Sequence, residues 1–253
     1  MGRSLLILVA LSVVLQHGTN ATRSHPKSKD VVPEFHARLN NTHSIPWLVE
    51  EVSPHQGSDN ALVYVFPSEY ADSRTHFYTK WTNDGFQSTG CMNMKCIGFQ
   101  PEKGAKVAPG DVIDHVTFPK QKAKRNLNLK VIKDGSSGDW LVHCGIDREP
   151  ELIGRFPRSL FTGGFVEKAT SVSFGGVTIG PITNPPPMGS GYLPMDATSA
   201  ASISNIQLID QNGHAWPVTQ NLPKLETNRV AYAVSPIVNG QFFYGGHEQP
   251  PTA

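Results

Sequence analysis

The sequence has only three cysteines, almost no net charge and no apolar run long enough to cross a membrane. Its most apolar segment, residues 5–15, is far shorter than the ~20 residues that a membrane-spanning helix needs. A net charge of +1 provides no overall field that would favour nucleic acid or an anionic membrane. Three cysteines do not make a disulfide framework. These absences argue against a membrane-spanning protein and against a nucleic-acid-binding one.

The common catalytic motifs are also missing. The sequence contains no G-x-S-x-G, no H-E-x-x-H and no G-x-G-x-x-G string, so serine-hydrolase, zinc-protease and dinucleotide-binding signatures are absent. Its ten histidines are scattered, and none is spaced with a carboxylate in the manner of a metal site. We therefore expect no metal and no cofactor.

The N-terminal segment predicts export. A basic start at Arg3 precedes the apolar residues 5–15, and polar residues follow, ending at the small residue Ala21. This order is typical of a secretory signal peptide, with cleavage after Ala21. A signal anchor is the alternative, but the apolar run is short for it. We predict a signal peptide at 1–21 and a secreted protein, which makes Asn40, in an N-N-T string, a glycosylation acceptor.

The cysteines leave two questions open at this point. Cys91 and Cys96 flank a turn-like stretch and can form a bridge. Zinc binding by the same pair needs two more ligands at a suitable spacing, and none is evident. Cys144 is left over, either as a buried and unreactive thiol or as one half of a bond to another chain.

The remaining pattern favours strands. Residues 22–59 are polar and aperiodic, and we interpret them as an irregular leader. Residues 76–82 and 126–131 alternate in polarity, which is typical of strands with one buried face. Asn239 and Gly240 supply the positive φ angles of a two-residue hairpin turn. We predict an all-β, antiparallel sandwich or barrel in a single domain.

Several strings in the same part of the chain resemble one protein family. Residues 81–99 read W-T-N-D-G-F-Q-S-T-G-C-M-N-M-K-C-I-G-F. Shorter strings that also match family segments, in the same order, lie at residues 131–141, 153–161, 188–191 and 242–246. Together they resemble the catalytic domain of the neprosin family, a group of secreted plant proteins.

The resemblance implies a fold, an activity and a disulfide. It implies an antiparallel β-sandwich of glutamic-peptidase type at residues 60–247, followed by a tail at 248–253 and preceded by a leader that is a remnant of the pro-region. In active members of the family it implies a glutamic endopeptidase that cleaves after proline under acidic conditions. It also implies that Cys91 and Cys96 form the short disulfide of the family.

The sequence departs from the family at both glutamate positions. The first position falls on Asn60, and the second falls on Ser173 or Val177. A gap of one or two residues brings Asp59 or Glu69 toward the first position, but no acidic residue lies within five residues of the second.

The departure decides the expected function. A peptidase of this type needs two carboxyl groups that titrate against each other around one water. We therefore expect a secreted, catalytically degenerate protein with a binding or structural role toward proline-containing peptides or cell-wall material. The alternative is an active acid endopeptidase that cleaves after proline with carboxylates that this matching does not identify. The oligomeric state is left open.

Overall fold

The structure is a computed structural model of the chain. It describes residues 4–14, 35–40, 58–64, 67–72, 74–84, 86–113, 125–167, 169, 171–181, 185–209, 214–226 and 228–247.

Strands dominate the described residues. The strands are β1 (Ser4–Val14), β2 (Phe35–Asn40), β3 (Ser58–Tyr64), β4 (His76–Thr82), β5 (Cys91–Met92), β6 (Gln100–Pro101), β7 (Asn126–Lys133), β8 (Trp140–Ile146), β9 (Glu151–Phe156), β10 (Ser171–Pro181), β11 (Ala201–Ile209), β12 (Ala215–Pro217), β13 (Lys224–Glu226), β14 (Tyr232–Val234) and β15 (Gln241–Gly246). The helical elements are one turn of α-helix, α1 (Pro67–Tyr70), and two 3₁₀ turns, Arg158–Leu160 and Gly163–Val166.

The strands form antiparallel sheets. The largest has the order β14-β15-β11-β2-β7-β8-β9-β6, with β12 added beside β11. Two three-stranded sheets have the orders β10-β1-β13 and β3-β4-β5. The predicted all-β antiparallel fold is confirmed.

The sheets share one apolar core. Phe77 of β4, Phe174 of β10, Tyr232 of β14 and Phe242 of β15 are all fully buried and belong to the same cluster. Burying an aromatic side chain removes about 150–250 Å² from water, so these residues dominate the packing energy. The core therefore holds together strands from different sheets, as in a sandwich.

The predicted alternation is correct for one strand and incomplete for another. In β7, Leu127, Leu129 and Val131 are buried while the residues between them are partly exposed. In β4, however, both faces are covered, because His76 and Tyr78 are each only 5% exposed. The prediction of one buried face for residues 76–82 was wrong, since α1 and the loop before residue 113 cover its second face.

The predicted hairpin at Asn239 and Gly240 is confirmed. Their φ angles are +51° and +69°, as a two-residue turn with two positive φ angles requires. The flanking residues Val238 and Gln241 exchange backbone hydrogen bonds of 2.8 and 3.1 Å.

The N-terminal residues contain strands that we did not predict. Within the leader predicted to be irregular, Phe35–Asn40 forms β2, which lies between β11 and β7. The prediction was wrong for this segment because its short alternation of Phe35, Ala37 and Leu39 is hidden among polar residues. The apolar segment of the predicted signal peptide forms β1. Cleavage after Ala21 stays a prediction, and residues 248–253 lie outside the described residues.

We find no helix among the described residues that is long and apolar enough to cross a membrane.

Candidate functional site

The second candidate position lies on β10. Ser173 and Val177 are four residues apart on this strand and therefore share one face. Ser173 is only 5% exposed, and Val177 is partly buried. Across the ladder, Ser173 is opposite Ser12 of β1 and Val177 is opposite Leu8. Neither candidate brings a carboxyl group to this face.

The other face of β10 is fixed by packing. Phe174 is fully buried. A Cβ added at Gly176 would lie 2.7 Å from the sulfur of Met188, so only glycine fits there without a shift of that side chain. Thr178 Oγ1 donates a hydrogen bond of 3.3 Å to the hydroxyl of Tyr232. This face holds β10 against the core and leaves Ser173 and Val177 on the opposite side.

The first candidate position lies in another sheet. Asn60 is in β3, where its backbone is opposite Lys80 of β4. The side chain of Asn60 lies outside the described residues. Because β3 and β10 belong to different sheets, backbone pairing does not bring Asn60 next to Ser173 or Val177.

The two acids considered for the first position are separated in the structure. Asp59 lies in β3, where its backbone is opposite Trp81 of β4. The side chain of Asp59 lies outside the described residues. Glu69 lies in α1, where its carboxylate pairs with the ammonium group of Lys95. Beside it, burial raises the pKa of Tyr70. Glu69 is therefore held in an ion pair with Lys95.

A polar cluster that the sequence did not single out covers the start of β4. The His76 ring is stacked on the Tyr70 ring, with centroids 3.8 Å apart and planes within 3°. Its Nδ1 lies 2.8 Å from the carbonyl oxygen of Gly110, and its Nε2 lies 3.0 Å from Asp72 Oδ1. Arg74 also binds the carboxylate of Asp72, at 2.7 Å.

This cluster is built for structure rather than for proton transfer. Because a carbonyl oxygen accepts only, Nδ1 of His76 donates to Gly110. Nε2 is paired with the carboxylate of Asp72, so both ring nitrogens have partners within the cluster. The hydrogen bond from His76, followed by those from Arg74, holds the pKa of Asp72 well below its usual value. No spacing in the sequence distinguishes these residues, because tertiary packing brings Gly110 to them.

Three further carboxyl groups have pKa values displaced in the same direction. Hydrogen bonds from serine or threonine hydroxyls lower the pKa values of Asp84, Asp134 and Asp196. Each side chain accepts bonds from residues two to five positions later in its own turn. A general acid needs the opposite shift, toward the protonated form at working pH. These carboxylates organise turns.

One pair of carboxylates is separated by a cation. Arg155 Nη2 lies 3.2 Å from Glu102 Oε2, and its Nη1 lies 3.8 Å from Asp139 Oδ2. A guanidinium group between two carboxylates stabilises both ionised forms. These two carboxylates are therefore joined through an ion pair with Arg155 rather than placed against each other as in a catalytic pair.

Two surface cavities lie elsewhere. The first, of about 430 Å³, is lined by apolar Leu193, Met195 and Val230, with Asp196 and His247 at its wall. The second, of about 350 Å³, is lined by three apolar residues, one carboxylate and three cations; the charged residues are Asp111, Lys106, Arg125 and Arg148. Neither cavity is lined by Ser173 or Val177. Across the described ranges, we find no group of three His, Cys, Asp or Glu residues arranged for a metal ion.

The structure shows which cysteines are bonded and which one is free of a disulfide. Cys91 and Cys96 form a disulfide, with Cα atoms 5.7 Å apart, as the resemblance implied. Cys144 is buried and has no disulfide partner, and burial raises the pKa of its thiol to about 12. A thiol that does not ionise near neutral pH is a poor nucleophile. Asn40 is the last residue of β2, and its glycosylation stays a prediction.

The fold and these contacts define a disulfide-containing protein of antiparallel sheets. A family model described as Neprosin matches residues 45–247. The chain belongs to the neprosin family. The matched region begins upstream of residue 60, where we predicted the domain to start.

Proposed function

We propose that this neprosin-family protein is secreted, that it has lost peptidase activity, and that it serves a binding or structural role. The observation that carries the proposal is the chemistry of β10. The two residues on the candidate face, Ser173 and Val177, carry a hydroxyl and an isopropyl group. Neither can exchange a proton in place of a carboxyl group, and a family fold transfers its activity only with the reacting groups.

The described carboxylates support the same conclusion. Those with displaced pKa values are displaced downward, toward the ionised form. Glu69, one of the two acids considered for the first position, pairs with Lys95. A proton donor for amide cleavage needs a carboxyl that stays protonated at working pH. These groups are placed for turn formation and ion pairing.

The disulfide supports export as well as stability. Disulfides form and persist in oxidising compartments, and Cys91–Cys96 is formed in this structure. An exported protein with an intact core and no reacting pair is suited to hold a ligand without cutting it. We propose extended peptides, including proline-containing ones, or cell-wall material as the ligands.

A cleavage assay tests the loss of activity. The protein secreted from the full-length coding sequence is incubated with a library of proline-containing peptides from about pH 2 to 6, and products are identified by mass spectrometry. A mock purification from the same host controls for contaminating peptidases. We expect no product above the mock purification. Reproducible cleavage after proline would contradict the proposal and favour the active endopeptidase, and Asp59→Asn and Glu69→Gln would then test its acids.

A further inference from the structure

The strand β1 is the central strand of its sheet. All eleven of its residues pair with β10, from Ser4 opposite Pro181 to Val14 opposite Ser171. On its other side, Val9–Leu11 pairs with the three residues of β13. Both edges of this segment are therefore hydrogen-bonded to other strands.

The same segment is the apolar part of the predicted signal peptide. If residues 1–21 are removed on export, β1 leaves the sheet and a strand-wide cleft opens between β10 and β13. Neighbouring strands lie about 4.8 Å apart, so two strands that flank a third lie roughly 10 Å apart. The cleft then has the width of one extended chain.

The β10 wall does not depend on β1 for its position. On its inner face, Phe174 is fully buried in the core, and Gly176 is in close contact with Met188. Thr178 is hydrogen-bonded to Tyr232 of β14. These contacts stay in place when β1 is absent.

The β13 wall is also held from behind. Lys224 Nζ donates a hydrogen bond of 2.9 Å to the carbonyl oxygen of Val234. Glu226 Oε1 accepts a hydrogen bond of 3.1 Å from the backbone N–H of Val234. Val234 belongs to β14, the strand that also contacts β10 through Tyr232. Because β14 anchors both walls, we expect the cleft to be preformed.

The chemistry of the longer wall, β10, defines the occupant, because β13 contributes only three residues and its two charged side chains, Lys224 and Glu226, are bonded to Val234. No charged residue occurs along Ser171–Pro181, and Val172, Ser173 and Phe174 are buried. Without β1, the outward backbone N–H and C=O groups of this strand lose their partners, which is costly for a buried segment. An uncharged edge of this length is also unprotected against pairing with another chain. Its complement is an extended, uncharged, apolar strand.

We propose that the cleft between β10 and β13 binds an extended apolar segment of another polypeptide as an added strand. Strand addition recognises the peptide backbone and uses alternate side-chain positions for specificity. The bound segment would lie beside β10 in the same sheet, with every second side chain on the face that carries Ser173 and Val177. The inference rests on the proposed binding role and on removal of the predicted signal peptide.

A peptide titration tests the cleft. The full-length coding sequence is expressed in a secreting host, and the N-terminus of the secreted protein is determined by mass spectrometry. A fluorescent peptide of residues 4–14, with lysines added outside both ends for solubility, is then titrated into the protein. The control is the same peptide N-methylated at the residues corresponding to Val9 and Leu11, which removes two backbone donors. We expect saturable binding that is at least ten-fold weaker for the control.

A cross-linking experiment tests the register. The Ser173→Cys protein is mixed under mild oxidation with a peptide carrying Ser12→Cys or, as a control, Leu11→Cys. Ser12 lies opposite Ser173, whereas the neighbouring peptide residue belongs to the other face of the strand. We expect a mixed disulfide with the first peptide and at least ten-fold less with the second.

Three results would overturn the inference. These are retention of residues 4–14 in the secreted protein, no binding of the peptide to the native protein, and equal binding of the N-methylated peptide. Equal cross-linking of both cysteine peptides would contradict the register. Cleavage of the bound peptide would instead contradict the loss of peptidase activity while leaving the strand-binding site in place, so the two proposals fail in different ways.

Discussion

The disulfide block, residues 81–99, and the strand β10 differ in what their family-matched positions do. Those of the block form hydrogen bonds within it, whereas the candidate positions of β10, Ser173 and Val177, carry no carboxyl group. In the disulfide block, Trp81 Nε1 donates a hydrogen bond of 3.1 Å to the carbonyl oxygen of Ile97. The Asp84 carboxylate accepts hydrogen bonds of 2.8 and 3.1 Å from the backbone N–H groups of Ser88 and Thr89. In β10, one face packs in the core, while the candidate face holds Ser173, which does not titrate.

The comparison separates fold from chemistry. The residues that make the disulfide block resemble the neprosin family have structural partners inside the block, so they account for folding. The candidate positions on β10, Ser173 and Val177, carry no carboxyl group, and β10 is nevertheless packed in the core. A protein can therefore keep the family architecture when the reacting residues are absent, because packing and backbone pairing do not depend on them.

Removing Trp81 should have the largest effect. Trp81→Ala deletes a buried indole that contacts Phe161 edge-on, and truncations of this kind cost about 3–5 kcal/mol. Urea unfolding of the two proteins measures the loss. Ile97→Ala is the matched control, because its side chain is 84% exposed and should change stability by no more than about 0.5 kcal/mol. A loss below about 1 kcal/mol for Trp81→Ala would contradict the structural role of the block.

Adding a methyl group to one glycine in each region should distinguish a rigid neighbour from a pliable one. A Cβ at Gly98 would overlap the indole of Trp81, whose nitrogen is held by a hydrogen bond. A Cβ at Gly176 would lie 2.7 Å from Met188 and 3.0 Å from the Tyr244 ring, and the closer neighbour, a methionine side chain, adapts readily. Overpacking costs about 1–3 kcal/mol. We expect Gly98→Ala near the upper value and Gly176→Ala near the lower one in the same urea experiment. The reverse order would contradict this account.

Reducing the disulfide should have an intermediate effect that is confined to the block. The bridge closes a short loop, since Cys91 and Cys96 are five positions apart. The chain-entropy estimate for such a loop is about 2 kcal/mol. Urea unfolding with and without dithiothreitol measures the difference. Cys144 provides no second bridge, so no other disulfide among the described residues contributes. An unchanged unfolding midpoint would show that the bridge does not stabilise the fold.

The carboxylate of Asp84 should contribute the smallest, pH-dependent effect. Hydrogen bonds from Ser88 and Thr89 lower its pKa in the folded protein, below the unfolded value of about 3.9. Its stabilisation is therefore complete above the unfolded pKa and is lost as pH falls toward the folded pKa. We expect Asp84→Asn to melt below the native protein at pH 7, with a difference that shrinks at about pH 3. A difference independent of pH would contradict this assignment.

The sequence predicted those features that depend on neighbouring residues. Alternation in Asn126–Lys133 and the Asn239–Gly240 turn are local, and both are confirmed. The place of β2 in the largest sheet and the second buried face of β4 depend on residues far away in the chain, so local patterns missed them. Positions 60, 173 and 177 came from the family resemblance. The Asp72–His76 cluster arises only when folding brings Gly110 beside it.

The central claim is that the fold is retained while the reacting carboxyl groups are missing. The most direct measurement compares the native protein with two variants, Asn60→Glu combined with Ser173→Glu and Asn60→Glu combined with Val177→Glu, in the mass-spectrometric cleavage assay at acidic pH. We predict no cleavage by the native protein and cleavage after proline by one of the two variants. Reproducible cleavage after proline by the native protein would contradict the claim.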